Sequence, residues 1–244
     1  MLTATNLVKE YQTRVLDGID FTVDEREFVA IMGPSGSGKS TLLHALSGLD
    51  RPTSGDVTFR GQSLTQLSEA ELARLRLTKF GFVFQQPNLL QSLGILDNVI
   101  LPGFLAGTSP RAEIVTRAEQ LMERAGIAQL AQRTVTEVSG GQLQRAGICR
   151  ALINQPEMLF GDEPTGALNS ATSAQILDLL QDINRDGTTI VLVTHDPMVA
   201  VRADRLVVLV DGHIAEELRL GAYQHADEQA RHKAVVELMM AQGV

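Results

Sequence analysis

The chain has 244 residues, 44% hydrophobic and 20% charged, which is the balance of a globular protein with a full core: one large domain, or one core carrying an inserted subdomain. A net charge of -8 excludes a body built to lie on nucleic acid, and no run of Lys and Arg reverses this locally. The single cysteine, Cys149, excludes an intramolecular disulfide and a thiolate zinc cluster, and no stretch reaches the roughly 18 apolar residues of a spanning helix.

Met1 runs into Leu2-Thr3-Ala4-Thr5-Asn6 with no basic start or apolar segment, so the chain reads as cytosolic. Any membrane role is then borrowed from a partner. Residues 2–32 read as three strands: Ala4 to Val8, Gly18 to Val23 with period-two alternation, and the apolar run Phe28-Val29-Ala30-Ile31-Met32. The third leads into Gly33-Pro34-Ser35-Gly36-Ser37-Gly38-Lys39-Ser40, which fits G-x-x-x-x-G-K-[ST] at every fixed position; Thr41 follows, and helical spacing continues to Leu46. Strand, glycine loop and helix form the context this motif requires. The glycines let consecutive N–H groups turn inward around phosphate oxygens, and the helix adds its positive end. Lys39 is expected to reach the β- and γ-phosphates and the Ser40 hydroxyl to ligate Mg²⁺. The chain therefore reads as a binder of a nucleoside triphosphate.

Asp56-Val57-Thr58-Phe59 is a further short strand, and Phe80-Gly81-Phe82-Val83-Phe84 is another, ending at Gln85. From about 86 to 154 the texture turns helical, with breaks at Gly94, Pro102, Gly107 and Gly126, which reads as an inserted helical subdomain. Cys149 lies in this pattern and reads as a packed thiol. Strands resume at 158–160, 189–193 and 206–210, apolar enough to be central parallel strands, with a helix at 170–185 between the first two. Asp211-Gly212 turns into a last strand, and residues 222–242 read as one amphipathic helix. Its apolar end, Val235, Val236, Leu238, Met239 and Met240, suits packing on the chain's own core or, alternatively, an interface with another chain.

Two more constellations carry chemistry. The strand before Asp162 and Glu163 is apolar, and Asp162 stands at its C-terminal end, where a metal shared with Ser40 is expected. Glu163, one position on, points differently and is suited to orient or deprotonate a water aimed at the γ-phosphate. Val138-Ser139-Gly140-Gly141-Gln142 precedes a helical run, so a serine and two glycines make a second anion-binding nest; alone, this would be an ordinary helix cap.

In family order these segments resemble the nucleotide-binding subunit of an ATP-binding cassette (ABC) transporter over about residues 2 to 220. Tyr11 matches the adenine-stacking aromatic, residues 33–41 the phosphate loop and Gln85 the glutamine loop. Ser139-Gly140-Gly141-Gln142 matches the signature with Val138 for the usual leucine, Asp162 and Glu163 the second Walker motif, and His195 the switch histidine. The resemblance implies an α/β fold: a P-loop NTPase (RecA-like) core, about 1–85 and 155–220, with an antiparallel β subdomain, an inserted helical subdomain at about 86–154, and a C-terminal helical extension at 221–244. It implies a head-to-tail dimer that clamps each ATP between residues 33–41 of one copy and Ser139, Gly140 and Gly141 of the other. It implies Mg²⁺ held by Ser40, Asp162 and Gln85, Glu163 as general base, and His195 on the γ-phosphate. Gln85 would link this centre to a separate transmembrane permease, placing the chain at the cytoplasmic face of the membrane.

One position departs from the pattern. The loop after Glu163 reads Gly166-Ala167-Leu168-Asn169, with asparagine for the usual aspartate, so an acceptor is kept and a charge lost; hydrolysis is expected to survive with altered coupling between sites. Residues 48–55, 82–90 and 97–102 resemble the lipoprotein-release and macrolide-efflux branch, which includes haem exporters and antimicrobial-peptide pumps; the cargo is open among these by analogy. Two other classes share the phosphate loop. A soluble cassette of DNA repair or translation would bring two cassettes or a coiled coil, and a GTPase would bring an Asn-Lys-x-Asp reader; neither feature is in the sequence.

Overall fold

In the computed structural model, which describes residues 1–243, the chain divides into two units. One comprises Met1–Leu72 with the residues from Asn184 on; the other is Ala73–Ile183. In the first unit, β1 (Leu2–Glu10) pairs antiparallel with β2 (Arg14–Val23) on one side and β4 (Ser54–Phe59) on the other, and β5 (Gln62–Ser63) extends the sheet. Both long strands run past their expected bounds. A register shift between Ala4 and Leu7, with Asn6 at φ 47°, interrupts the alternation on which those bounds were read.

The second sheet of this unit is built on β3 (Phe28–Met32), all five residues buried. It is flanked in parallel by β8 (Thr189–Val193) and β9 (Arg205–Val210). These are the near-continuous apolar strands the sequence indicates, covered on both faces. Asp211 (φ 46°) and Gly212 (φ 77°) are both left-handed, the two-residue hairpin geometry that returns the chain into antiparallel β10 (His213–Arg219). From β3 the chain enters α1 (Lys39–Leu46); from β8 it enters α7 (Pro197–Arg202).

The C-terminal helix α8 (Glu228–Ala241) is shorter than the expected 222–242. Gly221 is left-handed at φ 72°, Tyr223 turns inward at 5% exposure, and a single 3₁₀ turn, His225–Asp227, precedes the helix. Only Arg231, Val235 and Met239, one i, i+4, i+8 stripe, are buried as α8 packs on α7; Met240 is 73% exposed. Arg231 anchors the stripe, donating to the carbonyls of Val201 (2.8 Å), Ala203, Leu220 (3.1 Å) and Gly221 (3.1 Å).

In the second unit β6 (Phe80–Phe84) and β7 (Met158–Asp162) run parallel, in register from Phe80 opposite Met158 to Phe84 opposite Asp162. Helices α3 (Ile95–Ala106), α4 (Arg111–Arg124) and α5 (Gly140–Leu152) pack together, and α6 (Ser170–Arg185) follows β7. Pro102 does not break the helical pattern as expected. It lies inside α3, which buries Asn98, Val99, Ile100, Gly103 and Ala106 around it and ends at left-handed Gly107, φ 61°. That burial outweighs the hydrogen bond proline forfeits.

Two helices were not foreseen: the short α7, and α2 (Glu69–Lys79), which leads into β6 with only Leu72 buried, too little apolar periodicity to read. The signal for α2 was the capping box Ser68-Glu69-Ala70-Glu71, in which the Ser68 N–H donates to Glu71 Oε2 at 2.8 Å and the Glu71 N–H to Ser68 Oγ at 3.3 Å.

Candidate functional site

In the first unit the parallel strands set the geometry. Ile31 pairs with Val193, and the Thr194 N–H donates to the Ile31 carbonyl at 3.1 Å. The phosphate loop and His195 therefore leave the sheet at the same C-terminal edge, the usual ligand edge of a parallel sheet. Gly33 begins the loop so close to β9 that a Cβ there would lie 2.0 Å from the Leu209 carbonyl oxygen. Gly38 is the N-cap of α1 at φ 101°, a torsion that side chains avoid. Ser35, Gly36 and Ser40 are exposed, while Ser37 is 2% exposed with its hydroxyl buried. Lys39 folds its ammonium over the loop, donating to the carbonyls of Gly33 and Pro34 at 2.8 Å each. The N-terminus of α1 and this cation lie at one glycine-rich turn, and both favour an anion there.

His195 is exposed immediately after β8. Its neighbour Asp196 is committed elsewhere: its carboxylate accepts from the Met198 N–H at 2.8 Å as the N-cap of α7, ahead of Pro197 at the first helical position. Tyr11 stands on the loop between β1 and β2 at 59% exposure, its hydroxyl bonded to Asp50. That bond and burial raise its pKa above the usual tyrosine value.

In the second unit, β6 and β7 end together, so Gln85 and Glu163 follow the paired residues Phe84 and Asp162. Glu163 is left-handed at φ 50°, a conformation that costs a β-unbranched residue about 1 kcal/mol and is concentrated at functional sites. The turn it starts is closed by the Gly166 N–H on the Glu163 carbonyl, 3.1 Å. A Cβ on Gly166 would lie 3.0 Å from Gln85 Nε2 and 3.5 Å from Glu163 Cβ, so these three residues are immediate neighbours.

Ser139 caps α5 in a reciprocal box: its N–H donates to Gln142 Oε1 at 2.9 Å and its hydroxyl accepts from the Gln142 N–H at 3.4 Å. The box uses the side chains of Ser139 and Gln142 and leaves the N–H groups of Gly140 and Gly141 at the helix's positive end. Sequence reasoning missed what holds this helix to the glutamine loop. Buried Gln144 donates to the Phe84 carbonyl at 2.9 Å, and Arg150 reaches the carbonyls of Pro87 (2.6 Å) and Asn88 (2.9 Å). The available signal was Gln144 at the head of the stripe Gln144, Ile148, Leu152, a polar residue where an apolar one belongs.

The predicted residues thus fall into two groups. Tyr11, 33–41 and His195 share the first unit; Gln85, Ser139 to Gln142, Asp162 and Glu163 share the second. Among the described residues no cluster of three or more His, Cys, Asp or Glu forms a self-contained metal site, and no helix is long and apolar enough to cross a membrane.

Known proteins resemble this chain over most of its length. The family described as ABC transporter matches residues 16–166. The Macrolide export ATP-binding/permease protein MacB of Marinobacter nauticus is 47% identical over 208 residues, 85% of this chain; the chain spans about a third, 32%, of that protein's length. The Bacitracin export ATP-binding protein BceA of Halalkalibacterium halodurans is 40% identical, with 100% of this chain and 96% of that protein covered. Among solved structures, the dimeric post-hydrolysis state of the ATP-binding cassette MJ0796 bound to ADP and Pi superposes with a TM-score of 0.84 at 39% identity, covering 91% of this chain and 100% of that one. A nucleotide-free ATP-binding cassette superposes at 0.82 with 27% identity, over 97% and 95%. The chain belongs to the ABC transporter family, as an ATP-hydrolysing cassette related to MacB and BceA.

Proposed function

We propose that this cassette powers an exporter by closing head-to-tail on two ATP molecules, with Lys39 and the 33–41 backbone of one copy and Ser139, Gly140 and Gly141 of the other gripping each triphosphate. The observation that carries this reading is the second nest: Gly140, exposed, and Gly141, half-buried, open α5 just after its Ser139 cap, where a helix start favours an anion that a second copy would bring. The dimeric MJ0796 cassette supports it. Export as the direction follows the printed functions of MacB and BceA, and amphipathic antibiotics or peptides are the cargo class those names favour over haem or lipoprotein. Transmembrane helices must come from a permease, since no helix among the described residues spans a membrane.

In this mechanism Lys39 and the α1 dipole neutralise the β- and γ-phosphates. Glu163, aimed by its left-handed turn off the end of β7, orients and deprotonates the attacking water; Gln85 beside it and His195 position the nucleophile and the γ-phosphate. Ser40 Oγ, Gln85 Oε1 and the Asp162 carboxylate would hold Mg²⁺. All three donors are oxygens, as a hard cation prefers, and the Phe84–Asp162 register puts Gln85 and Asp162 at the same end of the paired strands β6 and β7. When bound, the ion would supply charge neutralisation at the phosphate oxygens.

The test is Glu163→Gln in light scattering. With ATP and Mg²⁺ its mass should double with two nucleotides per dimer, and turnover should fall by about 10²- to 10⁴-fold. A monomer at saturating nucleotide, or turnover at the parent rate, refutes the reading.

A further inference from the structure

We propose that Lys9 and Asp50 are positioning residues for the nucleotide base: they hold Tyr11 as a fixed platform, one face covered by a cation and the other left for stacking. The inference rests on the reading of Tyr11 as the ring that stacks on the base. It starts from a buried lysine. Lys9, on β1, is 8% exposed, and its ammonium donates to Asp50 Oδ1 at 2.6 Å and to the Arg51 carbonyl at 2.7 Å. A charge so withdrawn from water needs such partners. The same Nζ stands 4.7 Å from the centre of the Tyr11 ring, within cation–π range.

Asp50 serves both residues. One carboxylate oxygen takes the Lys9 ammonium, the other takes the Tyr11 hydroxyl, and the Thr41 hydroxyl also bonds the phenol. Tyr11 is therefore held at its hydroxyl and on one face, although 59% of it is exposed. Its anchors, Thr41 and Asp50, lie on α1 and just beyond that helix, which also carries Lys39 and Ser40. The distance between ring and phosphate loop is thereby fixed before nucleotide arrives. An exposed tyrosine without these ties would surrender rotamer freedom on stacking, and the affinity would fall by that entropy. Because the hydroxyl is already committed to Asp50, the ring contributes stacking area to recognition and no free donor to the base edge.

The experiment compares affinities for ATP and for inorganic triphosphate, by calorimetry on the full chain. Tyr11→Ala, Lys9→Met and Asp50→Asn should each weaken ATP by about three- to tenfold and leave triphosphate unchanged, while Lys9→Arg retains ATP affinity. If Tyr11→Ala leaves ATP binding intact, the stacking reading itself fails. If Tyr11→Ala weakens ATP but Lys9→Met and Asp50→Asn do not, this proposal alone is overturned. Equal loss of both ligands in Lys9→Met would mean that Lys9 supports the phosphate loop instead of the ring, and also overturns it. Should Lys9→Met not fold, Asp50→Asn, which keeps size and one acceptor oxygen, carries the same comparison.

Discussion

Gly141 and Thr172 form a pair whose sizes are matched, and exchanging volume between them tests the role of the second nest. A Cβ on Gly141 would lie 2.4 Å from Thr172 Cγ2. Ordinary contact begins near about 3.4 Å, so Gly141→Ala requires a shift of about 1 Å between the start of α5 and α6, and a 1 Å misplacement of a positioning element costs on the order of 10²-fold in rate. Thr172 is β-branched and stiff at χ1, so its methyl does not swing aside freely. The next atoms, Thr172 Cβ and Oγ1, are 3.6 Å away, an ordinary separation. Thr172→Ser removes only the offending methyl, so the double variant Gly141→Ala/Thr172→Ser should recover most of the lost turnover. Stability should move the other way: alanine gains about 0.5–1 kcal/mol over glycine in a helix, so the double variant should melt no lower than the parent. Steady-state ATPase assays and thermal melts on all four combinations decide it. Parent-like turnover in Gly141→Ala, or no recovery in the double variant, would refute the steric argument.

Three other expectations follow from contacts described above. Arg231→Met strands buried carbonyls of Val201, Ala203 and Leu220 and should lower unfolding free energy by roughly 3 kcal/mol in urea titration, loosening α8; a loss below about 1 kcal/mol would mean that the helix is held by Val235 and Met239 alone. Asn169 accepts from the Thr172 N–H at 2.9 Å as a cap of α6, and Asn169→Asp keeps this bond and adds a charge at a helix N-terminus. It should stabilise by about 0.3–1 kcal/mol and steepen the Hill slope for ATP; an unchanged slope and turnover would show that the asparagine does not tune coupling. Burial pushes the Cys149 thiol up to about 12, so it stays neutral and unreactive toward disulfide reagents at pH 8 until the chain is denatured. Because the folded pKa is the raised one, the unfolded chain releases its proton first above about pH 9, and stability should fall there by up to about 1.4 kcal/mol per pH unit, a slope that Cys149→Ala abolishes.

What was legible in the sequence was whatever chain-local chemistry specifies. The phosphate loop needs strand, glycine turn and helix in succession, and β3, Gly33 to Gly38 and α1 supply them in consecutive residues. The strands at 28–32, 80–84 and 189–193 were readable to the residue because each is a short, almost wholly apolar run, fully buried at 28–32 and 189–193 and mostly buried at 80–84. The misses concern residues whose partners are distant in sequence. Lys9 meets Asp50 and Gly141 meets Thr172, and nothing in a local window distinguishes those residues from a surface polar group or a flexible glycine; Gln144, which meets Phe84, was marked only by its place in an apolar stripe. The C-terminal helix was overextended for a related reason: Tyr223 is buried by contacts with Arg202 and Arg231, and tertiary packing set the boundary where propensity alone would have run on.

Those long-range contacts also say how the second unit works as a part. Glu163 and Gln85 both lie against Gly166, Gln144 and Arg150 bind the glutamine loop to α5, and Asn169 and Thr172 join the start of α6 to Gly141. Glu163, the glutamine loop and the start of α5 therefore belong to one hydrogen-bonded and close-packed assembly within the second unit. Such an assembly transmits displacement because packed interiors do not absorb it. A displacement of α5 would reach Phe84, the residue before Gln85, through the Gln144 hydrogen bond, and Asp162 through the β6–β7 pairing. Asn169 caps the helix whose Thr172 lies against Gly141. Its effect on cooperativity and the effect of Gly141→Ala on rate should be non-additive when combined.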